Sequence, residues 1–69
     1  MTPDNDNRPR LMAPKEAAAA TSMSRTLLTL MAAEGLFPKP VKIGERRIAY
    51  VRDEVEKWID GRIASRAVA

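Results

Sequence analysis

The run Ser24-Arg25-Thr26-Leu27-Leu28-Thr29-Leu30-Met31-Ala32-Ala33-Glu34-Gly35-Leu36-Phe37-Pro38-Lys39-Pro40-Val41-Lys42-Ile43-Gly44-Glu45-Arg46-Arg47-Ile48-Ala49-Tyr50 decides the fold. Its first part reads as a helix with Ser24 as a hydroxyl N-cap, stopped at Gly35, where a residue without a Cβ takes the left-handed conformation that closes helices. Phe37-Pro38-Lys39-Pro40 is then a stiff extended connector, because two prolines fix φ and forbid more helix. Val41-Lys42-Ile43 and Ile48-Ala49-Tyr50 alternate apolar with other residues around Gly44-Glu45-Arg46-Arg47, the pattern of a β-hairpin with a basic tip. A helix followed by a basic hairpin is a reading helix with a wing, and the stretch reads as a DNA-binding module.

Outward from that run, Pro14 suits the first turn of a helix that continues through Lys15-Glu16-Ala17-Ala18-Ala19-Ala20. Alanines bury little area, so this helix is expected to lean on Leu11, Met12 and its neighbours. Arg10-Leu11-Met12 is expected to be a short extended entry to the fold. Thr21-Ser22-Met23-Ser24 interrupts the two helices, which makes a helix-turn-helix, with Met23 packed under the turn. Advancing about 100° per residue through the second helix puts Leu28, Met31, Ala32 and the flanking Leu27 on the core face. Arg25, Thr26, Thr29, Leu30 and Ala33 point the other way, and Leu30 is a large apolar group on a face that should be wet.

Beyond the hairpin, Val55, Trp58, Ile59 and Ile63 follow the stripe of an amphipathic helix, and Trp58 reads as a central core residue rather than a base-stacking platform. Asp53 and Glu54 suit the positive end of that helix, Arg62 and Arg66 its negative end, and Asp53 and Lys57 form an i,i+4 pair. Gly61 is expected to let the last turn fray. The expected architecture is mostly α with a small β-hairpin: a winged helix-turn-helix of three helices plus a wing. It occupies residues 10–66, between a disordered tail at 1–9 and a flexible end at 67–69.

The chain has 69 residues, no cysteine and no histidine. That length allows one domain, close to the lower size at which a core folds unaided, and leaves no room for a separate ligand-sensing domain. The missing residue types exclude a disulfide scaffold, a zinc finger and Cys/His or Ser/His catalysis. No apolar run approaches the ~18 residues that span a bilayer, and the N-terminus lacks a signal-peptide pattern, so a reducing cytoplasm is the simplest expected home. The carboxylates of Asp53, Glu54, Glu56 and Asp60 scatter around one helix as a solvated face, and nothing reads as catalytic. No cofactor, metal, small-molecule ligand or membrane is expected.

Net charge is only +3, but its placement is uneven. From Phe37 to Arg52, Lys39, Lys42, Arg46, Arg47 and Arg52 stand against Glu45 alone; from Asp53 to Asp60, Lys57 stands against four acidic residues. A local excess of this kind attracts phosphate even when the whole protein is mildly basic.

Ser24-Arg25-Thr26, the run from Glu34 to Gly44 with its Gly-x-Phe-Pro-x-Pro-x-x-x-Gly spacing, and Asp53-Glu54-Val55-Glu56-Lys57-Trp58-Ile59 together resemble the AlpA family of small phage and prophage regulators. That family is related to excisionases and to the DNA-binding head of MerR-type regulators. The resemblance covers Arg10 to Arg66 and implies a winged helix-turn-helix with its second helix in the major groove and its wing against the backbone or minor groove. It also implies a mobile genetic element as the setting. Family members regulate transcription, and relatives direct an integrase toward excision; the residues here do not decide between these roles.

By resemblance, Ser24, Arg25 and Thr26 match the start of the reading helix, and Lys42, Arg46 and Arg47 the basic wing. Thr29, Leu30 and Lys39 complete the expected DNA-binding set. The chain departs from the family where Leu27, Thr29, Leu30 and Ala33 stand in place of frequent Thr, Tyr and basic residues, which removes side chains able to pair with guanine or grip phosphate. Expected partners are therefore double-stranded DNA and further copies of the same chain bound cooperatively beside it, with an integrase as the partner if the role is excision. The alternative from another class is a protein adaptor docking through Leu30, Leu36 and Phe37.

Overall fold

A computed structural model of the chain describes residues 8–66. In chain order it contains β1 (Leu11–Met12), α1 (Pro14–Thr21), α2 (Arg25–Ala33), β2 (Val41–Lys42), β3 (Ile48–Val51) and α3 (Arg52–Ser65). This is the expected winged helix-turn-helix: three helices and a hairpin. The hairpin also gains a third strand. β3 is the middle strand, antiparallel to β2 through Val41↔Ala49 and Lys42↔Ile48, and to β1 through Leu11↔Val51 and Met12↔Tyr50. The entry segment Arg10-Leu11-Met12 is thus pinned to the root of the wing.

The helix ends follow from local chemistry. Pro14 opens α1 at a position where its missing N–H is no loss. Ser22 closes that helix in the left-handed region at φ 60°. Ser24 caps α2, its hydroxyl oxygen accepting from the Leu27 N–H at 3.0 Å. At the far end Gly35 takes φ 77°. The Leu36 N–H then reaches back to the Met31 carbonyl at 2.8 Å and the Gly35 N–H to Ala32 at 3.1 Å, which satisfies carbonyls that the helix leaves open.

The connector then turns Phe37 into the core. Its ring meets Tyr50 edge-on at a centroid distance of 5.4 Å and Trp58 at 4.9 Å, the arrangement that ring quadrupoles favour. Met12, Ala17, Leu28, Ala32, Tyr50 and Val55 complete the buried cluster. Met23, under the turn, and Met31 pack against it.

Several expectations need correction. Trp58 lies at the rim of the core, half-buried, with Phe37 and Tyr50 in the central place; its indole N–H donates to the Leu36 carbonyl at 2.9 Å. A large ring with one polar atom is best satisfied at such a boundary. Leu27 is 41% exposed rather than core, since α2 rests on Leu28 and Ala32 and turns its neighbouring flank outward. Ile63 is 53% exposed because residues 60–66, all exposed, continue α3 beyond the packed cluster. Phe37, assigned to a docking patch in the adaptor reading, is buried.

Arg52 also differs from expectation. Its Nη2 meets the Glu16 carboxylate of α1 at 2.6 Å, its Nε donates to the Pro9 carbonyl at 2.6 Å, and its own N–H donates to the Arg10 carbonyl at 2.8 Å. With a side chain 11% exposed, it is an internal clasp between α3, α1 and the entry segment, not part of an open basic patch. The expected tail at 1–9 and flexible end at 67–69 fall largely outside the described residues. Of the tail, Arg8 pairs with Glu56 at 2.8 Å, and Pro9 is held by Arg52.

Candidate nucleic-acid interface

The burial of Leu28 and Ala32 sets the orientation of α2. Stepping round the helix by about 100° per residue, Leu30 lies opposite those two residues, with Thr26 and Ala33 beside it. Ser24 and Arg25 stand at the N-terminal end, and Thr29 on one flank. All of these are exposed, as are Lys39 on the connector and Lys42, Arg46 and Arg47 on the wing. Every residue of the expected DNA-binding set therefore reaches the surface.

Two open depressions show which of them come together. Thr29, Ala33, Lys39, Pro40 and Ile48 line the first, joining the flank of α2 to the connector and the wing. Arg46, Arg47, Ile43, Ile48 and Leu11 line part of the second, where the wing tip approaches β1. Ile48 borders both, so the base of the wing links the helix side of the surface to the two arginines. The wing loop is closed by the Ile43 N–H donating to the Arg47 carbonyl at 2.9 Å, which leaves the charged ends of Arg46 and Arg47 outside the ladder.

The side chains differ in what they have left to offer. Among the described residues, no hydrogen bond or ion pair engages the side chains of Arg25, Thr26, Lys39, Lys42, Arg46 or Arg47. Ser24 Oγ accepts as the cap of α2 and keeps its hydroxyl proton to donate. Thr29 spends its hydroxyl proton on the Arg25 carbonyl at 3.1 Å. Hydrogen-bond donors on α2 therefore concentrate in the first turn, whereas Leu30 and Ala33 make the following turn apolar. Sequence reasoning missed Ile48 as a surface residue; a β-branched side chain in a strand reads as core, and nothing in the sequence marks this one as exposed.

Other classes of site find little support in the geometry. Three of the described acidic groups pair with neighbouring cations, Glu16 with Arg52, Glu56 with Arg8 and Asp53 with Lys57. Among the described residues, no group of three or more metal-ligating side chains gathers to hold an ion. No helix there is long and apolar enough to cross a membrane.

Neither a curated protein nor a solved structure matches the chain. The model of the family described as prophage CP4-57 regulatory protein (AlpA) matches residues 10–63, which takes in β1, the helix-turn-helix, the wing and nearly all of α3. The chain belongs to the AlpA family of prophage regulatory proteins.

Proposed function

We propose that this protein binds double-stranded DNA of a mobile genetic element, with α2 in the major groove and the wing along the backbone, and regulates by occupying its site in several adjacent copies. The observation that carries the reading is the set of exposed, unengaged cations: Arg25 at the start of α2, Lys39 beside the flank of α2, and Lys42, Arg46 and Arg47 on the wing. Lys and Arg without partners on the protein surface are what phosphate neutralisation requires. Control of transcription and the steering of an integrase toward excision both use such an interface, and occupancy set by protein concentration serves either.

The test is a fluorescence-anisotropy titration of a labelled duplex from the protein's genomic neighbourhood, at several salt concentrations. Binding should weaken steeply with salt. Changing both Arg46 and Arg47 to alanine should weaken it on all sequences and lower the log–log salt slope by about 2, since each neutralised phosphate contributes about 0.9. Absence of binding at low salt by folded protein would remove the DNA reading in favour of an adaptor. Burial of Phe37 leaves that alternative with Leu30 and Leu36, and Leu30→Asp should then abolish partner capture.

A further inference from the structure

The exposed face of α2 has an unusual division of labour for a helix facing DNA. Its donors lie at the N-terminal end, on Ser24, Arg25 and Thr26: the Ser24 oxygen accepts as the helix cap and keeps its proton, whereas further along the Thr29 hydroxyl already donates to the Arg25 carbonyl. One turn further on, the group standing farthest from the core is Leu30, 57% exposed, with Ala33 beside it. A single exposed leucine needs no cover by itself, so the assignment rests on what stands around it. Arg25 lies at one end of α2, Lys39 shares a depression with Thr29 and Ala33, and Lys42, Arg46 and Arg47 are exposed on the wing, none of them engaged among the described residues. A duplex brings phosphates to such cations while presenting a groove floor to Leu30.

We infer that Leu30 is a specificity-determining residue that reads thymine through the C5-methyl group in the major groove. The inference rests on the DNA reading above and names the feature of the ligand that the reading leaves open. Among the four bases, thymine is the one whose major-groove edge carries an apolar group. A guanine or cytosine edge under Leu30 would lose water without gaining a partner, which is unfavourable for any buried donor or acceptor. Arg25 and Thr26 supply hydrogen bonds at the start of the helix, so the site combines a polar step with a methyl-bearing step about one helical turn of α2 away.

The experiment uses a duplex enriched by the full-length protein from a random-sequence pool, then synthesised twice, once with thymidine and once with deoxyuridine at every thymidine position. The exchange removes the C5-methyls and keeps Watson–Crick pairing and the O4 acceptor. Wild-type protein should bind the deoxyuridine duplex about fourfold more weakly for each methyl contacted, the equivalent of one buried methylene. Leu30→Ala should bind the thymidine duplex more weakly and show a ratio between the two duplexes close to one; because Leu30 is exposed, the change removes little from the fold. Arg46→Ala with Arg47→Ala should weaken both duplexes and preserve the wild-type ratio. Equal, salt-sensitive binding of both duplexes by the wild type overturns the methyl reading and leaves DNA binding standing. An identical ratio in wild type and Leu30→Ala overturns the assignment to Leu30. Enrichment of no duplex, with no binding at low salt, overturns both.

Discussion

Gly35 and Ser22 occupy the same left-handed region of backbone space, at φ 77° and φ 60°, and each ends a helix. The strain is relieved at one and retained at the other. A Cβ built on Gly35 meets nothing within 4 Å, so an alanine there encounters no steric obstacle and the cost is that of the backbone alone. Gly35→Ala should therefore lower the unfolding free energy by about 1 kcal/mol, with an unchanged denaturant slope. Urea unfolding followed by circular dichroism measures it, and a loss of several kcal/mol would mean that the connector had repacked. Ser22→Gly should raise stability by roughly 0.5 kcal/mol, part of the relief being offset by the greater freedom of glycine in the unfolded chain. Gly35 was legible in the sequence because glycine after a periodic run is the ordinary closing signal. Ser22 was not, since serine favours caps at the opposite end of helices and carries no mark of a positive φ.

The elements are joined by contacts of a kind that sequence shows unevenly. Three helices and a hairpin were readable from caps, prolines and apolar spacing, and so was the exposure of Thr26, Leu30 and Ala33 on α2, whereas Leu27 was assigned inward and is exposed. β1 was foreseen only as an extended segment, because two residues carry no periodicity and their pairing with Tyr50 and Val51 depends on where the chain later returns. Arg52 shows the same limit: in sequence it is one more cation beside a basic hairpin, whereas in space it is the clasp that ties α3 to Glu16 of α1 and to Pro9. Its replacement by alanine should lower stability by about 1–2 kcal/mol, the lower part of the range for hydrogen bonds to charged groups because Glu16 is half in solvent. At a temperature where the variant stays folded, its affinity for DNA should match the wild type. Thermal unfolding and anisotropy titration separate the two effects; an affinity loss equal to that of changing Arg46 and Arg47 would return Arg52 to the interface.

For the whole molecule, the deciding quantity is how much surface one copy can place on DNA. A single small module buries about 600–1,000 Å² of protein surface on a duplex, near the low end for specific binding. Under the proposed function, α2 adds few hydrogen-bond donors, so one copy would discriminate weakly and selectivity would come from several copies on adjacent sites. That argument predicts a dependence on duplex length. A duplex of roughly one helical turn, about 10 base pairs, should bind weakly and without cooperativity, whereas one of about 40 base pairs from the same site should bind several protomers with a sigmoidal isotherm. Anisotropy together with sedimentation of the complex gives both affinity and stoichiometry. The increase should exceed the gain expected from the number of sites alone, because neighbours that touch add contacts a lone protomer lacks. The exposed end of α3, with Ile63 and Arg62, and the apolar flank at Leu27 are the surfaces free to make them. Tight binding of one protomer to the one-turn duplex would mean instead that Arg25, Thr26 and Leu30 discriminate well enough alone, and the multi-copy reading would be abandoned.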